Sequence, residues 1–241
     1  MIDIKQYLDG SNIGLWQTMS QSFHINIDYC SEDYYGNYYR NNDCTIYVPK
    51  NGIPNTASFT HELLHLLLPS HKIYIGGAIE CKLREIFPLN TIFDKDLYDH
   101  ISNCLEHIKM LPMYLKMGYP IEEFLSDYHE KKLTKNGLFG LSLLCKKNCL
   151  NRKYNRMAYN AYIGKFFAAK ADINPDNHYD ELLNGLKKID SKLFLALETF
   201  WNGWVDYDIE KKREVWEDDY HVLVDVLTDD LINWCKHKEF V

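Results

Sequence analysis

The sequence predicts an α+β protein with a small antiparallel sheet near the N-terminus and a mostly helical C-terminal half. Two segments, Ser22–Tyr29 and Cys44–Val48, alternate apolar and polar residues, as half-buried strands do. Beyond residue 56, apolar residues recur at intervals of three and four, which is typical of helices with one buried face. Of the 241 residues, 46% are hydrophobic and 25% are charged, an ordinary composition for a chain with a core.

The first fifty residues should contain one helix and two strands. Residues 1–20 have the apolar spacing of a short amphipathic helix, and the strand ending at Tyr29 follows. The pair Gly36-Asn37 and the run at 41–43 are turn signals. The second strand stops at Pro49, so the two strands are expected to form the small antiparallel sheet.

A His-Glu-x-x-His motif then occupies positions 61–65. On a helix, His61 and His65 project from one face, and two neutral imidazoles at that spacing can hold one zinc ion. Glu62 would lie beside the metal, where it can take a proton from a zinc-bound water as general base. Residues 55–58 supply capping side chains, and Pro69 is expected to end the helix.

Nearly every residue around the motif is apolar, which indicates a buried helix. Two histidines and a glutamate in a core are costly unless something satisfies them. The alternative interpretation is a surface helix with ordinary histidines.

Further helices are expected downstream. A short strand at 72–75, ended by Gly76-Gly77, precedes helices at 78–87, 94–111 and 121–132. The remainder is helical by period, with a long final helix marked from Val215 to Cys235. We expect residues 1–135 to form the core that contains the motif. Residues 136–241 should be a helical extension packed on it, within one continuous domain.

A catalytic zinc site needs a third protein ligand. His107 is preferred, because it lies at the rim of the apolar face of the 94–111 helix. Glu80 lies at a similar rim of the preceding helix. Glu106 points away from the apolar face, and is disfavoured unless that helix is buried on both sides. Asn103, one turn before His107, could hydrogen-bond to it.

With the motif His61-Glu62-Leu63-Leu64-His65, the chain resembles the zincin metallopeptidases. Residues 103–107, followed by Pro112 and Met117-Gly118, resemble part of the ImmA/IrrE-like intracellular peptidases. The resemblance implies zinc bound by both motif histidines, Glu62 as general base, and a peptide or protein substrate that pairs with an edge strand.

The resemblance makes Cys44–Val48 the candidate edge strand, and zincin relatives often use a glutamate as third ligand. His100 or a tyrosine is a candidate for stabilising the oxyanion. The expected function is therefore that of a zinc-dependent metallopeptidase. The alternatives are a zinc-binding protein without protease activity and a helical interaction module that uses its C-terminal aromatic residues: Phe200, Trp201, Trp204, Trp216 and Trp234.

Composition restricts the partners. A net charge of −7 argues against nucleic-acid binding, and no apolar run is long enough to cross a membrane. The seven cysteines follow no disulfide spacing and no secretory signal is visible, so a reduced, cytoplasmic protein is expected. The sequence leaves the substrate and the oligomeric state open.

Overall fold

The computed structural model of the chain describes residues 2–32, 34–150, 152–211 and 219–241. These residues form two compact units, and each is discontinuous in sequence. The first unit comprises Met1–Ile73 and Glu106–His129, and the second comprises Tyr74–Leu105 and Glu130–Val241. The boundary that the sequence predicts near residue 135 stays a prediction.

The first unit contains the sheet and the motif. After a 3-10 turn at Ile4–Tyr7, its elements in chain order are α1 (Ile13–Ser22), β1 (His24–Cys30), β2 (Gly36–Arg40), β3 (Asp43–Pro49), α2 (Thr56–Leu64) and α3 (Leu67–Ser70). The C-terminal part of a longer helix and a 3-10 turn at Ile121–Glu123 complete it. The single helix expected over residues 1–20 is thus two pieces, because Asp9 accepts backbone hydrogen bonds in a turn between them.

Helices are the regular elements of the second unit in the residues that the structure describes. Its elements are α4 (Ile75–Leu83), α5 (Leu89–Ile92), the N-terminal part of α6 (Lys95–Lys116), α7 (Lys135–Leu144), α8 (Arg156–Lys170), α9 (Asp180–Ile189), α10 (Ser191–Asp206) and α11 (Tyr220–Cys235). The predicted α+β class, with a small N-terminal sheet and a mainly helical remainder, is therefore confirmed.

The sheet is mixed, so the expectation of a purely antiparallel sheet is wrong for one strand pair. The strand order is β1-β3-β2: β2 pairs antiparallel to β3, and β1 pairs parallel to β3. β2 and β3 are joined by the two residues Asn41 and Asn42, and Asn41 has the positive φ of 56° that such tight turns require. β3 is the central strand, and its side chains are more buried than those of β1 and β2.

Two local expectations about the sheet are corrected. Gly36-Asn37 is the start of β2, not a turn, because Asn37 pairs with Ile46 of β3. Cys44–Val48 is not an edge either, because β3 is paired on both sides. The edge strands of this sheet are β1 and β2.

Two expected elements downstream of the motif are absent from the described residues. Residues 72–74 form no strand, and Ile75 is the first residue of α4. Gly76 lies inside α4 and does not end a strand; a Cβ at this position would come within 2.1 Å of the Ser102 hydroxyl oxygen, so the close packing requires glycine. The helix at 121–132 is reduced to the 3-10 turn, since Phe124 and Tyr128 are drawn into the first unit's interior.

Helix α6 is longer than expected and continues through Pro112. Met110 and Tyr114, on either side of the proline, are fully buried, and their packing offsets the lost backbone hydrogen bond. The final helix begins at Tyr220, and the expected start at Val215 lies outside the described residues.

Four of the five C-terminal aromatic residues named for an interaction surface are core residues. Phe200, Trp201, Trp204 and Trp234 are each at most 5% exposed, and Trp204 Nε1 donates a 2.9 Å hydrogen bond to the carbonyl oxygen of Leu105. They cannot form the surface of an interaction module; Trp216 lies outside the described residues. Among the described helices, none combines the length and apolarity needed to cross a lipid bilayer.

Candidate metal centre

Helix α2 is fixed at both its start and its middle. Its N-cap is Asn55, whose side chain accepts a 3.0 Å hydrogen bond from the backbone N–H of Ser58. Asn12 is fully buried and donates from Nδ2 to the Thr60 hydroxyl, at 2.9 Å, and to the Tyr7 carbonyl oxygen. Because Thr60 directly precedes His61, these bonds set the rotation of the motif about the helix axis.

Three histidines meet in the first unit. His61 lies in α2, His65 directly follows it, and His107 lies on α6. Their ring centroids are 5.0, 4.9 and 5.3 Å apart for the pairs 61–65, 61–107 and 65–107. One ring nitrogen from each lies within 4.8 Å of the others, and this is the triad of potential ligands found in the described residues. The structure thus places the preferred third residue, His107, beside the motif pair.

The geometry fits a tetrahedral zinc ion. Nε2 of His61 and Nε2 of His65 lie 3.2 Å apart. Two nitrogens bound to one zinc at about 2.0–2.1 Å with a tetrahedral angle are separated by about 3.3 Å. Three imidazole ligands also leave a fourth position for water or substrate, which is typical of catalytic zinc sites.

Glu106 is hydrogen-bonded to the nitrogen of His65 that faces away from His61. Nδ1 of His65 lies 2.7 Å from Oε2 of Glu106, and both side chains are buried. Burial by itself would lower the pKa of His65, but the hydrogen bond and the charge of Glu106 outweigh it and raise that pKa. With its proton on Nδ1, His65 presents a lone pair at Nε2. Glu106 is therefore placed behind a histidine and not among the three converging side chains.

Burial determines the protonation state of His61. Burial, and secondly the nearby charge of His65, lower the pKa of His61 to about 3, with a small opposing effect of the Phe124 backbone. Its Nδ1 atom is buried without a hydrogen bond of normal geometry in the described structure. His61 is therefore neutral at ordinary pH, which is the state that binds a metal.

Glu62 is held by a residue that the sequence analysis missed. Nδ2 of Asn37 donates a 2.8 Å hydrogen bond to Oε2 of Glu62. Burial raises the pKa of Glu62, while the charge of His65 and the Asn37 hydrogen bond oppose that rise. The Gly36-Asn37 pair looks like a turn in sequence, so only the strand pairing reveals that Asn37 faces α2.

Phe124 forms one wall of the histidine cluster. Its ring centroid lies 4.7 Å from that of His61 and 5.4 Å from that of His107, in edge-to-face contacts. The side chain is only 2% exposed. The segment around Phe124 therefore restricts access to the histidines.

The other candidate residues do not join the cluster. Glu80 is exposed on α4, in the second unit. His100 belongs to the same unit, where its Nε2 donates a 3.0 Å hydrogen bond to the Gly164 carbonyl oxygen. Asn103, expected to support His107, is exposed on α6, and the described partner of the cluster is Glu106 instead.

No protein-family model matches the chain, and no curated protein or solved structure matches it either. Its function must therefore be inferred from its own residues.

Proposed function

We propose that this chain is a zinc-dependent metallopeptidase, with zinc bound by His61, His65 and His107 and with Glu62 as the general base. The observation that carries the proposal is the convergence of three imidazoles next to a buried glutamate. Any one of these histidines could be an ordinary core residue. The three rings, however, lie close together, with the buried carboxylate of Glu106 hydrogen-bonded to His65 and the buried Glu62 beside them. This arrangement has no evident structural purpose without a cation.

Each residue has a separate task in this proposal. Zinc, when bound, would supply Lewis acidity that lowers the pKa of water and polarises a carbonyl group. Glu62 would accept the proton of the attacking water and pass it to the leaving amine. Asn37 would hold one oxygen of Glu62 and leave the other for that proton, and Glu106 would keep His65 in the tautomer that binds metal.

Peptide is the favoured substrate class because of the strand beside the site. β2 is an edge strand of the described sheet, and its Asn37 contacts the proposed base directly. An extended peptide can add to such an edge through backbone hydrogen bonds. A scissile bond near Asn37 would then lie close to Glu62. This replaces β3, which the sequence had suggested for that role.

The wall formed by Phe124 favours a second candidate, a zinc-binding protein without peptidase activity. A ring in contact with two of the three proposed ligands limits the room for a peptide carbonyl. Structural zinc sites, however, are usually closed by four protein ligands, often with cysteine. A three-histidine site is more typical of catalysis, so we place the peptidase first.

The test is cleavage of an unbiased peptide mixture, followed by mass spectrometry. The zinc-loaded wild type should cleave, and Glu62→Gln should lose about 10²–10⁴ in rate while keeping its zinc, because only proton transfer is removed. Glu85→Gln, on an exposed glutamate of the second unit, is the matched control. Equal cleavage by wild type and Glu62→Gln would reject the mechanism, and bound zinc with no cleavage would favour the second candidate.

A further inference from the structure

A second region of the chain carries a cavity of about 860 Å³. It lies entirely within the second unit, between residues of α7, α9 and the segment that precedes α8. Its volume falls in the range of pockets that enclose small organic ligands. None of the three clustered histidines lines it.

The walls of the cavity are strongly basic. Among the described lining residues are six lysines: Lys135, Lys146, Lys147, Lys188, Lys192 and Lys238. Asp190 is the single acidic side chain in that set. This concentration of positive charge stands out in a chain whose net charge is −7. Like charges so close together repel one another, and an anionic ligand would relieve that repulsion.

The carboxylate of Asp190 does not neutralise the five other lysines. It is paired with Lys238, and it also accepts a 2.9 Å hydrogen bond from Nε1 of Trp234. Lys238 in turn lies 4.7–4.9 Å from the ring centroids of Tyr154, Tyr159 and Trp234. This pair is satisfied internally, so the net positive charge of the remaining lysines faces the cavity.

Four of these lysines have no counter-ion among the residues that the structure describes. Lys135, Lys146, Lys188 and Lys192 make no ion pair with any residue in the described ranges. All four are exposed, so their ammonium groups can reach a ligand without losing an existing partner. Lys192 also lies in the first turn of α10, a helix of 16 residues whose N-cap, Asp190, accepts a 3.1 Å hydrogen bond from the backbone N–H of Leu193.

The cavity also offers aromatic surface. Phe139 lines it and is 66% exposed, and Tyr154 lines it beneath Lys147, whose Nζ is 5.9 Å from the ring centroid. A flat ring could pack against these side chains while an attached anion reaches the lysines.

We propose that this cavity binds small molecules that carry two or more linked phosphate groups, with the phosphates held by Lys146, Lys147, Lys188 and Lys192. Several ammonium groups acting as point charges suit a polyphosphate better than a single carboxylate. Nucleoside di- or triphosphates and inorganic polyphosphates share this chemistry. The aromatic wall favours the nucleoside forms.

Isothermal titration calorimetry with ATP, inorganic triphosphate and adenosine tests the site on the full chain. ATP and triphosphate should bind with a Kd below about 100 µM at low salt, and adenosine should not bind. Tighter binding of ATP than of triphosphate would identify a nucleoside phosphate site, and equal binding would identify an inorganic polyphosphate site. Equal binding of ATP and adenosine, or no binding of either phosphate at about 1 mM, would overturn the proposal.

Lysine-to-glutamate variants test whether ATP binds in this cavity. Lys146→Glu/Lys147→Glu, and separately Lys188→Glu/Lys192→Glu, should each weaken ATP binding at least about tenfold. The control Lys165→Glu/Lys236→Glu makes the same change of charge on exposed lysines of the same unit that do not line the cavity. Phosphates also chelate metal ions, but that contribution is the same in all three variants. If both cavity variants bind ATP as the control does, the cavity is not the site.

Discussion

The carboxylate of Glu106 lies 2.7 Å from Nδ1 of His65, while Nε2 of the same ring lies 3.2 Å from Nε2 of His61. The two ends of the His65 ring thus have different partners. One end is held by a buried carboxylate, and the other points at a neighbouring imidazole and toward His107. Metal-binding histidines typically show this arrangement, in which one ring nitrogen faces the metal and the other is hydrogen-bonded to a carboxylate.

Glu106 should therefore support zinc binding without being a ligand. We expect Glu106→Gln to weaken zinc affinity about 10–100-fold, because the orientation and basicity of His65 suffer, while saturating zinc still fills the site. Competition with a chelating dye measures this affinity. If Glu106→Gln abolished zinc binding and His107→Ala preserved it, Glu106 and not His107 would be the third ligand.

Asn37 should affect turnover and leave metal content unchanged. Removing its hydrogen bond to Glu62 with Asn37→Ala should lower kcat/KM by roughly tenfold, the equivalent of one hydrogen bond of about 1.4 kcal/mol. Asn51→Ala, on an exposed asparagine of the same unit outside the strands, is the matched control. Peptide cleavage measured beside zinc content separates the two effects; loss of zinc in Asn37→Ala would assign Asn37 a structural role instead.

Phe124 should control access to the histidines. In Phe124→Ala, we expect zinc to pass to a chelating dye several-fold faster than in wild type, because the wall over His61 and His107 is removed. The same change should cost about 3–5 kcal/mol of unfolding free energy, as for other buried phenylalanines. Phe139→Ala, on an exposed ring of the second unit, should alter neither quantity. Unchanged zinc release in Phe124→Ala would show that access lies elsewhere.

The Asp190–Lys238 pair should make stability depend on pH. Burial would raise the pKa of Asp190, but hydrogen bonds from Lys238 and Trp234 outweigh it and hold that pKa below its ordinary 3.8. Stabilisation from a depressed pKa is present above the unfolded value and disappears as pH falls through the folded value. Asp190→Asn should therefore cost about 3 kcal/mol of unfolding free energy at pH 7 and progressively less below about pH 4.

Denaturant unfolding of wild type and Asp190→Asn across this pH range provides the measurement. The control is Asp225→Asn, which removes an ion pair whose two side chains are 49% and 55% exposed. Its effect should stay within about 1 kcal/mol. A cost for Asp190→Asn that does not vary with pH would show that packing, not charge, stabilises this pair.

The parts of the site that are local in sequence could be predicted. His61, Glu62 and His65 form one contiguous motif, and the helical period alone placed His107 at the rim of a buried face. The supporting role of Glu106 could not be derived in this way. It points away from the apolar stripe of its helix, and only the tertiary structure shows that α6 is buried there on both sides.

The non-local parts of the fold were missed for a related reason. Strand order depends on pairing between distant segments, and nothing within the sequence of Cys44–Val48 shows that it is paired on both sides. The contact of Asn37 with Glu62 could not be predicted, because glycine followed by asparagine usually marks a turn. Its role depends on the register that pairs it with Ile46 and brings it to Glu62.

Zinc content, measured by plasma mass spectrometry after zinc loading and removal of excess metal, tests the central claim most directly. We expect about one zinc ion per wild-type chain and almost none in His61→Ala, His65→Ala or His107→Ala. The control His237→Ala, on an exposed histidine, should bind like wild type. A wild-type chain that holds no zinc, or that holds as much as His65→Ala and His107→Ala do, would contradict the account.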